Sequence, residues 1–311
     1  MTSPMVFSVV VPTFNRPASL GVCLSALALQ DYPRRAYEVI VADDGGSYDL
    51  DAQLQPFYGE MNVRVVQQKN HGPASARNLG AASATGRFLA FTDDDCQPSP
   101  AWLAALQAKL AIFPDRLAGG PVANALEENP YAVASQIISG FVYAHYNRDL
   151  DRPRFFATNN ISLSAALFHE IGGFDERFTL CAAEDREFCD AWLTRGLGLV
   201  WAPDALVYHR HSMGLGGFWR QQLGYGKGAF QYHRARRARG AGRVPFEGVG
   251  FHAGIIAAPF RKRHAASPVL LSGLTALSQI AVTSGYLIEA VATAMAKIDP
   301  RREAGEASTT R

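Results

Sequence analysis

The chain has 311 residues, 48% hydrophobic and 19% charged, with a formal net charge of +2. That excludes a disordered polyelectrolyte, a collagen-like repeat and a small disulfide scaffold, and it leaves enough apolar residues for one large domain with a further region attached. The near-neutral total hides two unlike parts: residues 210–263 hold eleven Lys and Arg against one acid, Glu247, a net +10 that leaves −8 on the remainder. Cys23, Cys96, Cys181 and Cys189 have no CxxC spacing and fit a reducing compartment. Met1 to Phe7 carries no basic segment of the kind that opens a signal peptide, so a cytoplasmic location is expected.

The continuous apolar run from Phe7 to Pro12 predicts a strand buried on both faces. A helix over about Pro17–Gln30 follows, with Leu20, Leu24 and Leu27 on one face. Tyr37–Ala42 and Val63–Val66 predict two more strands, Ser75–Ala84 a short helix, and Arg87–Phe91 a fourth strand. Trp102–Ile112, Leu163–Ile171 and Asp185–Thr194 predict helices, and Leu197–Trp201 a late strand; signals across 115–160 are mixed. Alternating strands and helices imply an α/β domain with a largely parallel sheet, whose ligands bind at the carboxyl ends of the strands.

Polar clusters sit at those ends. Asp93-Asp94-Asp95 follows the fourth strand. Three adjacent carboxylates repel one another unless a cation or donor compensates, and hard oxygens there suit Mg²⁺ or Mn²⁺ carrying a substrate diphosphate. Asp43-Asp44-Gly45-Gly46 ends the second strand and Arg77 adds a guanidinium near the same rim. Each feature alone also suits a solvated turn or a surface helix. Glu184-Asp185 opens a helix, where it either complements the macrodipole or supplies a general base. Neither GxGxxG nor GxxxxGK[ST] occurs near these strands.

In order, Val9-Val-Val-Pro-Thr-Phe-Asn15, Val41-Ala-Asp-Asp-Gly45, Ala76-Arg-Asn78, Phe91-Thr-Asp-Asp-Asp95, Gly172-Gly-Phe-Asp175 and Glu184-Asp185 resemble the motifs of family 2 glycosyltransferases, over about residues 6–210. The resemblance implies a GT-A fold, a Rossmann-like mostly parallel sheet flanked by helices, and inverting transfer from a nucleotide-sugar. It implies that Pro12, Thr13 and Asn15 lie against the nucleoside, that Asp44 reads the base with Asp43 beside it, and that Arg77 reaches base or phosphates. Asp93-Asp94-Asp95 matches the DxD element, with Asp95 on the metal and Asp93 acting through the ribose or a metal-bound water. Asp185 matches the catalytic base, with Glu184 supporting the acceptor side, and His209 matches a position that supplies a further metal ligand in some GT-A enzymes. The processive members' QxxRW element is missing; Trp219-Arg-Gln-Gln-Leu-Gly-Tyr225 stands there instead, which argues for single additions.

These readings divide the chain into a catalytic domain over 1–210, with a nucleotide-sugar half to about 100 and an acceptor half from 101, a basic and apolar helical region over 211–299, and a loose tail over 300–311. Ala265–Ile288 runs 24 residues without a charge. It is long enough to span a bilayer, but its Ser, Thr and Gln favour packing on the catalytic domain, on a second copy or on a membrane surface. The expected partners are a nucleotide-sugar donor, a glycan, lipid-linked or cell-envelope acceptor, an anionic membrane surface at the inner face of the cell membrane and a homo-oligomer; no nucleic-acid module is recognisable. A polyprenyl-phosphate glycosyltransferase is the alternative within the class. A sugar-phosphate nucleotidyltransferase is the alternative outside it, but the Gly-rich loop it needs is absent after Val11.

Overall fold

The computed structural model describes residues 5–180, 182–242 and 246–298; Cys181, Arg243 and the tail over 300–311 lie outside them. In chain order the elements are β1 (Phe7–Thr13), α1 (Pro17–Ala28), β2 (Tyr37–Asp43), α2 (Leu50–Leu54), β3 (Val63–Gln67), α3 (Pro73–Ala82), β4 (Phe88–Phe91), β5 (Cys96–Pro98), α4 (Trp102–Ile112) and β6 (Leu117–Gly119). Then come β7 (Val122–Asn124), α5 (Pro130–Tyr146), β8 (Ile161–Ser164), α6 (Ala165–Ile171), α7 (Glu184–Thr194), β9 (Leu199–Trp201), β10 (Val207–His209), α8 (Leu215–Ala238), α9 (Val249–Ala257) and α10 (Pro268–Ile298).

Seven strands form a mixed, mostly parallel sheet in the order β3-β2-β1-β4-β8-β6-β9. Alternate residues of β1 feed opposite layers. Val9 and Val11 pack with Leu20, Leu24 and Trp102, while Val10 packs with Phe91, Phe168 and Trp192 on the other face. A three-stranded sheet, β5-β10-β7, lies beside it. Sheet order reverses between β1 and β4, which places the crevice for a ligand at their carboxyl ends.

One polar residue inside this sheet has a built-in counterpart set. Glu38 on β2 pairs in register with Ser8 on β1. Its carboxylate accepts from Ser8 Oγ at 2.6 Å and from Thr85 N at 2.8 Å, and it meets Arg64 Nη2 at 3.1 Å. Burial pushes its pKa up, but these hydrogen bonds and the Arg64 charge outweigh it and hold the group below the usual carboxylate range. Glu38→Ala leaves those donors unpaired and is expected to cost about 3 kcal/mol of stability at neutral pH, read by denaturant titration. Because the folded-state pKa is depressed, this contribution is present above the ordinary carboxylate pKa. It fades as pH falls through the lowered one, so the gap between the two proteins closes in acid.

Two predicted elements are corrected. The helix expected over Leu163–Ile171 begins only at Ala165, because Ile161–Ser164 is strand β8, held antiparallel between β4 and β6. Within the weakly patterned 115–160 stretch lies a 17-residue helix, α5, capped by Asn129, whose Oδ1 accepts from the backbone N–H of Tyr131 and Ala132. Val133, Ala134 and Ile138 of α5 pack with Phe218 of α8, Ile255 of α9 and Leu271 and Leu274 of α10 in a separate apolar cluster. Helices α8 and α10 approach closely through Gly226 and Gly285, where a Cβ would collide with the Val282 and Leu223 carbonyls. The basic excess of this region is partly used internally: Arg236 pairs with Asp190, and Arg239 with Glu187 and Asp190, on α7.

Candidate active site

The strand ends at the crevice are knitted to one another. Asn15 adopts a left-handed conformation (φ 53°), and its Oδ1 accepts from Ser47 N at 2.8 Å. Asp43 Oδ1 accepts from Gly46 N at 2.9 Å. Asn15, Asp43, Gly46 and Thr13 line a small recess with Arg16 and Tyr48. Asp44 is buried and accepts three hydrogen bonds, from Gln68 Nε2 at 2.7 Å, His71 N at 2.9 Å and Gly72 N at 2.8 Å. It thereby fixes the turn into α3. Gly72 suits that turn on two counts, its φ of 93° and the Thr179 backbone a Cβ would strike.

The three carboxylates after β4 are compensated one by one. Asp93 pairs with Arg77 at 2.7 Å. Asp94 accepts from Thr13 Oγ1 at 2.8 Å and meets Arg16 Nη1 at 2.9 Å. Asp95 meets Arg16 Nη2 at 2.5 Å, His209 Nε2 at 3.3 Å and His211 Nδ1 at 3.0 Å. The antiparallel pairing of β10 with β5 sets His209 opposite Cys96 and so beside Asp95. Burial pushes Asp94 up to about 7, helped by Asp95 and Asp93 and opposed by Arg16 and Thr13. Burial acts on Asp95 too, but hydrogen bonds from His209 and His211 and the nearby cations hold it well below the usual range. Burial would lower His209, yet its contact with Asp95 wins and raises it.

Arg77, 1% exposed, is the hub of the site. Its Nη2 reaches Asp93, and its Nη1 reaches Glu184 Oε1 at 3.0 Å, joining α3, the β4 end and the start of α7. Ala183 precedes Glu184 in the left-handed region (φ 68°), a conformation costly for a residue with a Cβ and of the kind that clusters at active sites. Helix α8 supports this turn directly: a Cβ on Gly228 would strike Ala182. Asp185 accepts from the backbone N–H of Arg186 at 2.7 Å. Burial, then the Glu184 charge, raises its pKa above the usual carboxylate range. The neighbouring Arg186 guanidinium is stacked between the rings of Tyr146 and Tyr232, 4.8 and 4.6 Å from their centroids.

One cavity of about 1100 Å³ collects most of these groups. Pro12, Thr13, Asp44, Arg77, Asp93, Asp94, Asp95, Glu184, Asp185 and His209 all line it, whereas Asn15 and Asp43 line the small recess beyond Thr13. Two members were not anticipated from sequence. Arg16 directly follows Asn15, with no local pattern that marks it as a partner of Asp94 and Asp95. His211 was legible in principle, since the spacing His209-Arg-His211 in an extended segment turns both imidazoles to one side. One ligand atom from each of Asp95, His209 and His211 lies within 4.8 Å of the others, so the three could hold one divalent ion. A carboxylate with two imidazoles suits Mn²⁺ and its transition-metal neighbours better than Mg²⁺.

A family model described as glycosyl transferase family 2 matches residues 8–172, more than half of the chain, and the chain belongs to that family. It has the GT-A fold. It is 29% identical to a hyaluronan synthase of Pasteurella multocida over 242 residues, 67% of this chain but 25% of the synthase. It is 26% identical to glycosyltransferase AglE of Haloferax volcanii over 235 residues, 74% of this chain and 75% of AglE. Its structure is similar to that of the mannosyltransferase PcManGT from Pyrobaculum calidifontis, solved with GDP-Man and Mn²⁺, with a TM-score of 0.59 at 19% identity, covering 96% of this chain and 82% of that one. It is also similar to Staphylococcus aureus TarS with UDP-GlcNAc, at a TM-score of 0.53 and 18% identity, covering 91% and 89%. At these identities the two structures speak for the fold alone.

Proposed function

We propose that the chain is an inverting, metal-dependent, non-processive glycosyltransferase that moves a sugar from a nucleotide-sugar to a hydroxyl of a saccharide, lipid-linked or cell-envelope acceptor. The observation that carries this reading is a difference among the carboxylates of the cavity. Asp93, Asp94, Asp95 and Glu184 each have a cationic side chain within ion-pair distance, and Asp44 is held by three neutral donors; among the described residues Asp185 has neither a cation within that distance nor a donor beyond the Arg186 N–H. A carboxylate with no cation and a raised pKa is fitted to accept a proton.

In this reading Asp185 takes the acceptor hydroxyl proton while the acceptor oxygen bonds to the anomeric carbon. The bond from that carbon to the diphosphate oxygen breaks on the opposite face, the diphosphate leaves with the electron pair, and configuration inverts. Asp95, His209 and His211 would hold a divalent ion, which when bound supplies Lewis-acid neutralisation of the diphosphate. Arg16 and Arg77 add fixed positive charge at the same rim. Thr13, Asn15 and Asp43 at the ends of β1 and β2 would lie against the nucleoside, and Asp44 has one lone-pair direction left for a base N–H after its three protein donors. Glu184 orients Arg77. A thermal-shift panel of UDP-, GDP-, dTDP- and CDP-sugars with and without Mn²⁺ tests the donor half. A ligand at 100 times its Kd stabilises by about 2.7 kcal/mol, and no shift with any conjugate would remove the reading.

The helical region over 211–299 is proposed to bring this site to an anionic membrane surface at the inner face of the cell membrane. Pro268–Ala296 is long and apolar enough to cross a bilayer, with a mean hydropathy of 1.3. Its packing on α8 and α5 favours lying on the surface instead. Val269, Ile280, Leu287, Val291 and Met295 form an exposed uncharged stripe on α10, and Phe260 with Arg261, Lys262 and Arg263 is exposed nearby in sequence. The full chain is expected to float with anionic vesicles, and replacing the three cations by Glu together with Leu287→Asp to release it; equal flotation would exclude the surface.

A further inference from the structure

Beyond Asp185 the cavity continues into a cleft that the sheet does not build. Ile138 and Val142 of α5, Leu223 of α8, Ile255 of α9 and Val282 of α10 line it, and Arg220 and Lys227 of α8, His252 of α9 and Gln279 of α10 are polar members of the same walls. Two glycines also face it, Gly140 in α5 and Gly224 in α8, and a Cβ on either would meet nothing within 4 Å. Glycine inside a helix is destabilising relative to alanine. Gly226 and Gly228 of the same α8 are explained by close packing on Val282 and Ala182. Gly140 and Gly224 have no such contact, and the effect of their missing side chains is a wider cleft.

A second, independent observation lies in the same wall. Gln222 is fully buried and lines the cavity, and its Oε1 has no hydrogen-bond partner among the described residues. Its Nε2 donates to Gln221 Oε1 at 3.1 Å, which in turn accepts from Ser135 Oγ of α5 at 2.9 Å. The amide is thus oriented through Gln221, and its carbonyl stays without a partner in the wall of the cavity. At about 1100 Å³ the cavity exceeds the roughly 300–1,000 Å³ of a pocket for one small ligand, so donor and acceptor can share it.

We propose that this cleft is a subsite for the apolar body of the acceptor, which is therefore an amphiphile: a hydroxyl-bearing sugar head at Asp185 and Gln222, and an alkyl or isoprenoid-like chain between α5 and α8. The proposal rests on Asp185 as the proton acceptor of glycosyl transfer for the direction in which the acceptor lies. The cleft's apolar lining and open glycines set the chemistry of the tail.

The test compares n-octyl and methyl β-D-glucopyranoside, below the micellar concentration, by titration calorimetry on the full chain, on Gly140→Trp, on Gly224→Trp, and on Gly273→Trp at the exposed outer side of α10 as the control for binding to that surface. The octyl glycoside is expected to bind about 100-fold more tightly than the methyl one, given the apolar area its chain can bury. Filling the cleft at Gly140 or Gly224 should weaken octyl binding by about tenfold or more, at unchanged Tm, and Gly273→Trp should leave it intact. Equal binding of the two glycosides, absence of octyl binding, octyl binding unchanged in both cleft variants, or loss only in Gly273→Trp would each overturn the subsite. If one cleft variant fails to fold, the other decides. Nucleotide-sugar binding with Mn²⁺, measured on the same proteins, reports separately on the glycosyl-transfer reading and should be unaffected by either cleft substitution.

Discussion

Asp185→Asn is expected to lower kcat by about 10²–10⁴ while leaving nucleotide-sugar binding within a few-fold of the parent, because asparagine fills the same space but cannot take a proton. The size follows from what a positioned general base contributes, and the selectivity from geometry. Asp185 makes no ion pair among the described residues, so removing its charge leaves the Arg77–Asp93 and Arg77–Glu184 pairs in place. A pH profile separates this role from a structural one. The base acts deprotonated, and burial with the adjacent Glu184 charge raises its pKa, so kcat/KM of the parent should rise with pH through a value above the ordinary carboxylate range and then level off. That acid limb should vanish in Asp185→Asn. Loss of donor binding in the variant, or an unchanged acid limb, would remove Asp185 from the chemistry.

Asp95→Ala is expected to abolish Mn²⁺-dependent donor binding while leaving the fold intact. Asp95 is the residue on which His209, His211 and Arg16 converge, and it is held ionised more firmly than Asp94. Removing it deletes the carboxylate of the three-ligand set, and the affinity lost should exceed the roughly 10–100-fold typical of losing an outer-shell partner. His211→Ala should weaken Mn²⁺ in the same direction, and chelation of the parent should reproduce the Asp95→Ala behaviour. The checks are Mn²⁺ titration calorimetry and the Mn²⁺ dependence of nucleotide-sugar thermal shifts. Mn²⁺ affinity unchanged in Asp95→Ala would place the ion elsewhere.

The parts of this protein legible in the sequence are those whose signal is local. Phe7–Pro12 and Tyr37–Ala42 read as buried strands because parallel strands covered on both faces need unbroken apolar runs, and both lie inside the sheet with a strand on either side. The acidic clusters read as rim residues because each directly follows such a run. Helix α5 did not, since its buried residues are Ala132, Val133, Ala134 and Ile138, two of them small; Asn129-Pro130 was its clearest marker. Leu163 and Ser164 read as helix because their helical neighbours dominate the pattern, yet pairing with Leu89 and Phe88 on β4 makes them strand. Tertiary context overrides propensity in a four-residue element.

By itself the sequence determined the α/β alternation, the family and the carboxylates at the strand ends, all carried by residues close together along the chain. Only the tertiary structure decided how those carboxylates are used. Arg77 reaches Glu184 across 107 residues, Arg16 reaches Asp95 across 79 and His211 reaches Asp95 across 116, and no local pattern encodes which donor meets which acceptor at such separations. The same holds for the cleft beyond Asp185. Its walls come from α5 and from helices that begin some seventy residues later, and its width depends on two glycines whose purpose appears only when the facing surfaces are brought together. Burial and charge at a site are properties of the assembled neighbourhood, so the sequence can name the groups while packing alone sets which one is free to accept a proton.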